Sequence, residues 1–191
     1  MRQLTLLLAI FFLSSTHVLA QERFFTRTGH IWFFSDAPLE DIEAHNRKAA
    51  SILDVGTGDM VFSVPMKEFE FRKSLMQTHF NENYVESDKY PKATFKGKVI
   101  NIQVVDLEKD AAYEVRVKGV LHIHGQDKSI DTVGILEVKA GRLFGKSTFT
   151  VTPQEFGIKI PRLVRNNIAR QIDITVDVVY EPLTENSLQL W

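Results

Sequence analysis

The sequence predicts an all-β fold whose antiparallel strands close into a barrel, with one short helix capping an end. Three observations carry this: runs of period-two alternation, turn signals about every ten residues between them, and a single amphipathic helical segment. Hairpin-joined strands either close on themselves or pack as a sandwich, because open edges invite pairing with other chains.

Each run can be read in order. "GDMVFSVPMKEFEF" puts Met60, Phe62 and Val64 on one parity and, after Pro65, Phe69 and Phe71 on the other, so the proline marks an edge position or bulge. In "YEVRVKGVLHIHG", Val115, Val117, Leu121 and Ile123 alternate with Glu114, Arg116, Lys118, His122 and His124, giving a dry face and a wet one. "RLFGKSTFTV" offers Leu143, Phe149 and Val151 with Gly145 between, and small inward residues leave room that large ones would fill. "RQIDITVDVVYEP" repeats the alternation with Ile172, Ile174, Val176 and Val178. "VGTGD", "EKDAA", "HGQDKS" and "KAGR" supply the turns.

Helix is scarce, and its best candidate is "RKSLMQTHFNENYVES". Ser74 is a candidate N-cap, and Leu75, Met76, His79, Phe80 and Tyr84 form one stripe. Pro91 and the extended bias it imposes on Tyr90 return the chain to the sheet. "PRLVRNNIAR" reads as a further short helical turn.

The ends and the composition bound the function. Residues 1–20 carry Arg2, an apolar run from Leu4 to Leu13, and Val18 and Ala20 before Gln21, the layout of a secretory signal peptide. Residues 21–183 suit one domain, and 184–191 read as a flexible tail. Without cysteine there is no lipid-anchored thiol and no disulfide, so a packed core must hold the fold. Net charge is −1, or −2 once Arg2 leaves with the leader, and no charge block is long. Neither nucleic acid nor an anionic membrane surface is therefore an expected partner. No segment after the leader approaches spanning length.

The search for chemistry returns little. The chain has no G-x-S-x-G, P-loop, G-x-G-x-x-G or H-E-x-x-H motif. His122 and His124 share a strand parity that could serve a metal, but it is the wetter face, and no third ligand follows from the spacing. His79 reads as a packing or lid residue, while His30 and His45 stand alone. Glu82 with Glu86, and Asp173 with Asp177, read as solvated pairs. We assign no catalytic residue and no metal. Fourteen Phe without a catalytic set suit a sheet wrapped around an apolar interior, either filled by those rings or left open.

The stretch "HFNENYVESDKYPKATFKGKV" resembles the signature of the YceI-like, polyisoprenoid-binding family of exported bacterial proteins. Phe80, Tyr84, Tyr90, Pro91, Ala93 and Phe95 occupy the matching positions. "VKGVLHIHGQDKSI" resembles the family's later hairpin through Gly119, Leu121, Ile123, His124, Gly125 and Lys128, with His122 and Asp127 replacing threonines. "TPQEFGI" keeps Phe156, Gly157 and Ile158, with Gln154 and Glu155 at the polar positions. The resemblance runs from about Phe33 to Tyr180; "DIEAHNRKAASILD" departs from the family's early motif.

The resemblance implies a lipocalin-like antiparallel barrel of about eight strands. Its pore would hold a polyisoprenoid, an isoprenoid quinone or a similar lipid, in the periplasm or outside the cell, with no cofactor required. On that reading, parity lines the pore with Phe33, Phe62, Val64, Phe95, Val117, Leu121, Ile123, Leu143, Phe149, Ile174 and Val176. Leu75, Met76 and Phe80 close one end, and Phe156 and Ile158 contribute from the late loop. Lys159, Arg162, Arg165 and Arg170 are candidates for a pyrophosphate or quinone head group. Two rivals stay open: a ligand-free structural or stress-related barrel, and an enzyme on a small hydrophobic substrate using His79 or His124. The oligomeric state is open too, a dimer included.

Overall fold

The computed structural model describes residues 23–184. The leader expected at 1–20, and all of the expected tail except Thr184, lie outside the described residues. Nine strands form one antiparallel sheet: β1 (Arg23–Ser35), β2 (Ile42–Asp54), β3 (Asp59–Pro65), β4 (Glu70–Phe71), β5 (Lys92–Val99), β6 (Ala111–Ile123), β7 (Gln126–Lys139), β8 (Arg142–Val151) and β9 (Ile172–Pro182). Their order is β1-β9-β8-β7-β6-β5-β3-β2-β4, and β1 also pairs with β2. Eight strands thus close into a barrel. The two-residue β4 is an extra piece on β2, with Ala44 opposite Phe71 and His45 opposite Glu70.

The alternation read from the sequence sets which way each wall faces. In β6, Val115 and Leu121 are buried while Glu114, Arg116 and Lys118 are exposed. Two hairpins use two-residue turns with positive φ at both positions: His124 and Gly125 join β6 to β7, and Ala140 and Gly141 join β7 to β8. That geometry matches the right-handed twist of the flanking strands.

Pro65 ends β3 opposite Lys92. It leads into a one-turn 3₁₀ helix, Met66–Glu68, before the chain resumes as β4. The change of parity expected at the proline is therefore made by a helical turn. Asn46, fully buried in β2, donates from Nδ2 to the Pro65 carbonyl at 2.8 Å and bridges the gap this turn leaves. The N-terminal strands also begin earlier than the resemblance reached. "DIEAHNRKAASILD" is nearly all β2, and the β1–β2 register shifts twice: β1 carries an extra residue between Thr26 and Gly29, and β2 one between Asn46 and Ala49, opposite Gly29 to Ile31. Such bulges scramble period-two patterning, which is why this wall was hard to read.

α1 (Ser74–His79) continues as a π-helical turn, Phe80–Tyr84. Lys73, not Ser74, is the capping position, and no side chain caps it. "PRLVRNNIAR" does supply a helical turn, a 3₁₀ helix at Arg162–Asn167.

The barrel has two different ends. One gathers the β2–β3 and β7–β8 turns and the β5–β6 connection. It is packed solid by Phe24, Leu53, Ile102, Val138, Leu143 and Tyr180, among others. The other gathers the β1–β2 loop, the 66–91 connection with α1, the β6–β7 turn and the 152–171 connection. Here four rings from different segments meet: Phe80 lies 5.6 Å from Phe33, 5.6 Å from Phe69 and 5.0 Å from Phe71.

Candidate functional site

Between the packed floor and the aromatic cluster lies a cavity of about 530 Å³. That is within the roughly 300–1,000 Å³ usual for small-molecule sites. Its wall is made by inward residues of the barrel strands: Ile31 and Phe33 from β1, Phe62 and Val64 from β3, Phe95 from β5, Val117 and Leu121 from β6. Phe149 and Val151 of β8 and Ile174 and Val176 of β9 complete it. The floor carries Met60, Val99, Leu136, Val178 and Tyr180.

Small residues keep the lumen open. Gly97 and Gly119 face each other across β5 and β6. The Phe95 ring lies flat against both, since a Cβ at Gly97 would stand 2.4 Å from its Cζ and one at Gly119 2.5 Å. A ring laid along the wall occupies space that two side chains would otherwise take, instead of crossing the lumen. Gly134, Gly145 and Ser147 likewise line the cavity without filling it.

Polar groups are few. Tyr180 is buried at the floor, and its hydroxyl bonds Ser51 Oγ at 2.8 Å. Burial pushes its phenol well above the ordinary value, with the Ser51 bond opposing. At the other end Glu40 and Lys73 form an ion pair that ties the β1–β2 loop to the start of α1, and both line the cavity there. The same loop is tied to the 152–171 connection, with Leu39 N–H donating to the Asn166 carbonyl at 3.2 Å and Ala169 N–H to Ser35 Oγ at 2.8 Å. The mouth is thus bordered by three segments: the β1–β2 loop, α1, and the 3₁₀ helix 162–167.

Fifteen of the sixteen residues assigned to the pore line this cavity. Leu143 does not. It faces inward but sits below the floor in the solid cluster with Val138 and Tyr180. Parity tells which face a residue takes, not how deep along the barrel it lies. Leu75, Met76, His79, Phe80 and Tyr84 all line the cavity, so the helical stripe faces it as a unit. Phe69 and Phe71 line it as well, beyond the residues that parity places in the pore, and their Phe-x-Phe pattern after Pro65 is the signal for them in the sequence.

The four cations are placed differently from the assignment. None of Lys159, Arg162, Arg165 and Arg170 lines the apolar cavity. Lys159, Arg165 and Arg170 border a groove beside it that shares Ile158, Ile160 and Ile168 with the cavity wall. All four side chains are exposed.

The histidines are corrected too. His124 is not on the wet face of β6, because the strand ends at Ile123 and His124 turns with φ of 50°. Its Nδ1 donates to the Phe156 carbonyl at 3.0 Å, and Nε2 lies 2.6 Å from Glu86 Oε2. The ring packs edge-on against Tyr90 at 4.5 Å. His124 therefore joins three segments at the mouth end, and Glu86 is its partner, not half of a solvated pair with Glu82. With both nitrogens engaged and the ring outside the cavity lining, it is not placed to act as a base on a substrate in the lumen. His122 instead pairs with Asp127 at 2.6 Å. His30 and His45 do not stand alone: pairing of β1 with β2 puts Nε2 of one 3.0 Å from Nδ1 of the other, on the outer wall. Burial, followed by Arg47 and His45, lowers the His30 pKa. No group of three or more metal-ligating side chains occurs among the described residues.

This is a closed antiparallel barrel with a hollow, apolar lumen. The model of the YceI-like domain matches residues 24–180, and the chain belongs to that family. No curated protein matches the chain. Solved structures share the fold at low identity. A polyisoprenoid-binding domain from Saccharophagus degradans, implicated in plant cell wall breakdown, superposes with a TM-score of 0.74 at 14% identity, covering 85% of this chain and 99% of that one. Burkholderia cenocepacia BcnA gives 0.66 at 12%, covering 80% and 96%. The Campylobacter jejuni YceI protein gives 0.55 at 14%, covering 74% and 85%.

Proposed function

We propose that this protein is an exported carrier that holds a long apolar chain, a polyisoprenoid, an isoprenoid quinone or a similar lipid, inside the barrel. The observation that supports it is the cavity of about 530 Å³, walled by aliphatic and aromatic side chains. A chain threaded into it is held by area removed from water, about 25 cal/mol per Å² before the costs of ordering. With so few polar groups inside, selectivity rests on width and length. Phe33, Phe69, Phe71 and Phe80 set the width near the mouth and Tyr180 sets the depth. The match of fold to a polyisoprenoid-binding domain and the leader-like N-terminus support the same reading.

A carrier fits better than an enzyme because, among the described residues, His79 lines the lumen without a lining hydroxyl hydrogen-bonded to its ring. It fits better than a ligand-free module because the rings line the walls and leave the center empty. The test is equilibrium binding. An environment-sensitive apolar dye should brighten with the protein and be displaced stoichiometrically by geranylgeraniol. A dye that stays dark, or is not displaced, contradicts the proposal.

A further inference from the structure

Three leucines stand out among the exposed apolar residues. Leu163 is 98% exposed, Leu39 69% and Leu75 65%, while the next, Val133 on the barrel wall, reaches 51%. They are far apart in sequence, yet each belongs to one of the three segments that border the mouth: Leu39 to the β1–β2 loop, Leu75 to α1, Leu163 to the 3₁₀ helix 162–167. Leu75 and Val164, next to Leu163, also line the cavity, so the apolar surface continues from the lumen over the rim.

Charge around this rim is uneven. The 152–171 connection carries Lys159, Arg162, Arg165 and Arg170 against a single acidic residue, Glu155. None of the four makes an ion pair among the described residues. Glu40 is neutralised by Lys73, which leaves Asp36 and Asp41 on the β1–β2 side. A fully exposed leucine between two unpaired arginines is the pattern of a surface that inserts an apolar tip among anionic head groups. The overall charge of −1 conceals this local concentration.

We propose that the mouth docks on anionic phospholipid bilayers, Leu163 leading with Arg162 and Arg165 beside it, and Leu39 and Leu75 following. The apolar chain would then pass between bilayer and lumen without crossing water. The exchange step rests on the carrier reading above; the docking itself does not.

Co-sedimentation with vesicles tests it, using the protein as isolated, wild type and variants side by side. Binding is expected to vesicles of equal phosphatidylcholine and phosphatidylglycerol at 50 mM NaCl, and to be largely lost at 500 mM NaCl or with phosphatidylcholine alone. Arg162→Gln with Arg165→Gln should weaken it about 25-fold, from about fivefold per cation. Leu163→Ser should weaken it about tenfold. These residues are exposed, so geranylgeraniol binding in vesicle-free buffer should be unchanged in both variants. Wild type that ignores anionic vesicles, or variants that bind them as well as wild type does, would overturn the docking. So would self-association abolished by Leu163→Ser without vesicle binding, which would assign the leucines to a second copy. If vesicles are bound in this salt- and residue-dependent way while geranylgeraniol is not, docking stands and the carrier reading fails; geranylgeraniol binding without vesicle binding gives the reverse.

Discussion

Two side chains show how single groups hold the lumen's ends. Tyr180 buries a phenol at the floor with one partner, Ser51. The unfolded phenol ionises near 10.0, and burial raises the folded value above that. The folded state therefore keeps its proton where the unfolded chain loses it, and stability is intact below about pH 10 and falls as pH rises beyond it. Tyr180→Phe should cost about 1–2 kcal/mol at neutral pH, because Ser51 loses its partner. It should also flatten the alkaline decline, as read from denaturation midpoints between pH 8 and 11. An equally steep decline in the variant would place the titrating group elsewhere. At the mouth, His124 bonds Phe156 and Glu86 from a left-handed turn position. His124→Asn keeps a residue that tolerates that backbone but cannot span both partners. About 2 kcal/mol should be lost, which is about 4–8 °C in a thermal melt. An unchanged melting temperature would mean the three segments are held without it.

At the scale of elements, strand parity was legible because one face of each wall meets apolar contents and the other meets water. The helical stripe was legible for the same reason, and all five of its residues face the cavity. What parity cannot encode is depth, so Leu143 was assigned to a lumen it lies beneath. Nor does it survive bulges, so β1 and β2 were under-read. His124 escaped because a two-residue turn takes its side chain off the strand's alternation. The Gly97–Gly119 pair is the sharpest case, since its role depends on a third residue, Phe95, folding over both. Gly119→Val should drive that ring into the lumen and also press β5 away from β6, because the new Cβ would stand 2.5 Å from Gly97 Cα and 2.5 Å from the Lys96 carbonyl oxygen. Binding of geranylgeraniol should weaken at least tenfold while far-ultraviolet circular dichroism stays that of a β-barrel. Undiminished affinity would show that Phe95 has room to move elsewhere.

For the whole molecule, closure matters most. Eight strands pair in a closed cycle, with β7 and β8 joined only from Gly134 opposite Ser147 to Lys139 opposite Arg142, and a solid core at one end carries stability without filling the other. Hydrophobic content alone could not distinguish such a hollow from a filled interior, because the twelve Phe that follow residue 20 serve either. Placement distinguishes them: rings along the wall and around the mouth, glycines and Ser147 between. The rim's leucines are invisible in the sequence for a related reason, as exposure and proximity belong to the assembled chain, whereas Arg162 and Arg165 stand out there as head-group candidates.

Organic extraction of protein purified from its own host, followed by mass spectrometry, tests the open lumen most directly. A prenyl lipid or isoprenoid quinone should be recovered at close to one per protein, and should be depleted in Gly119→Val. Repeatedly empty preparations from cells rich in such lipids, with wild type and variant alike, would contradict it.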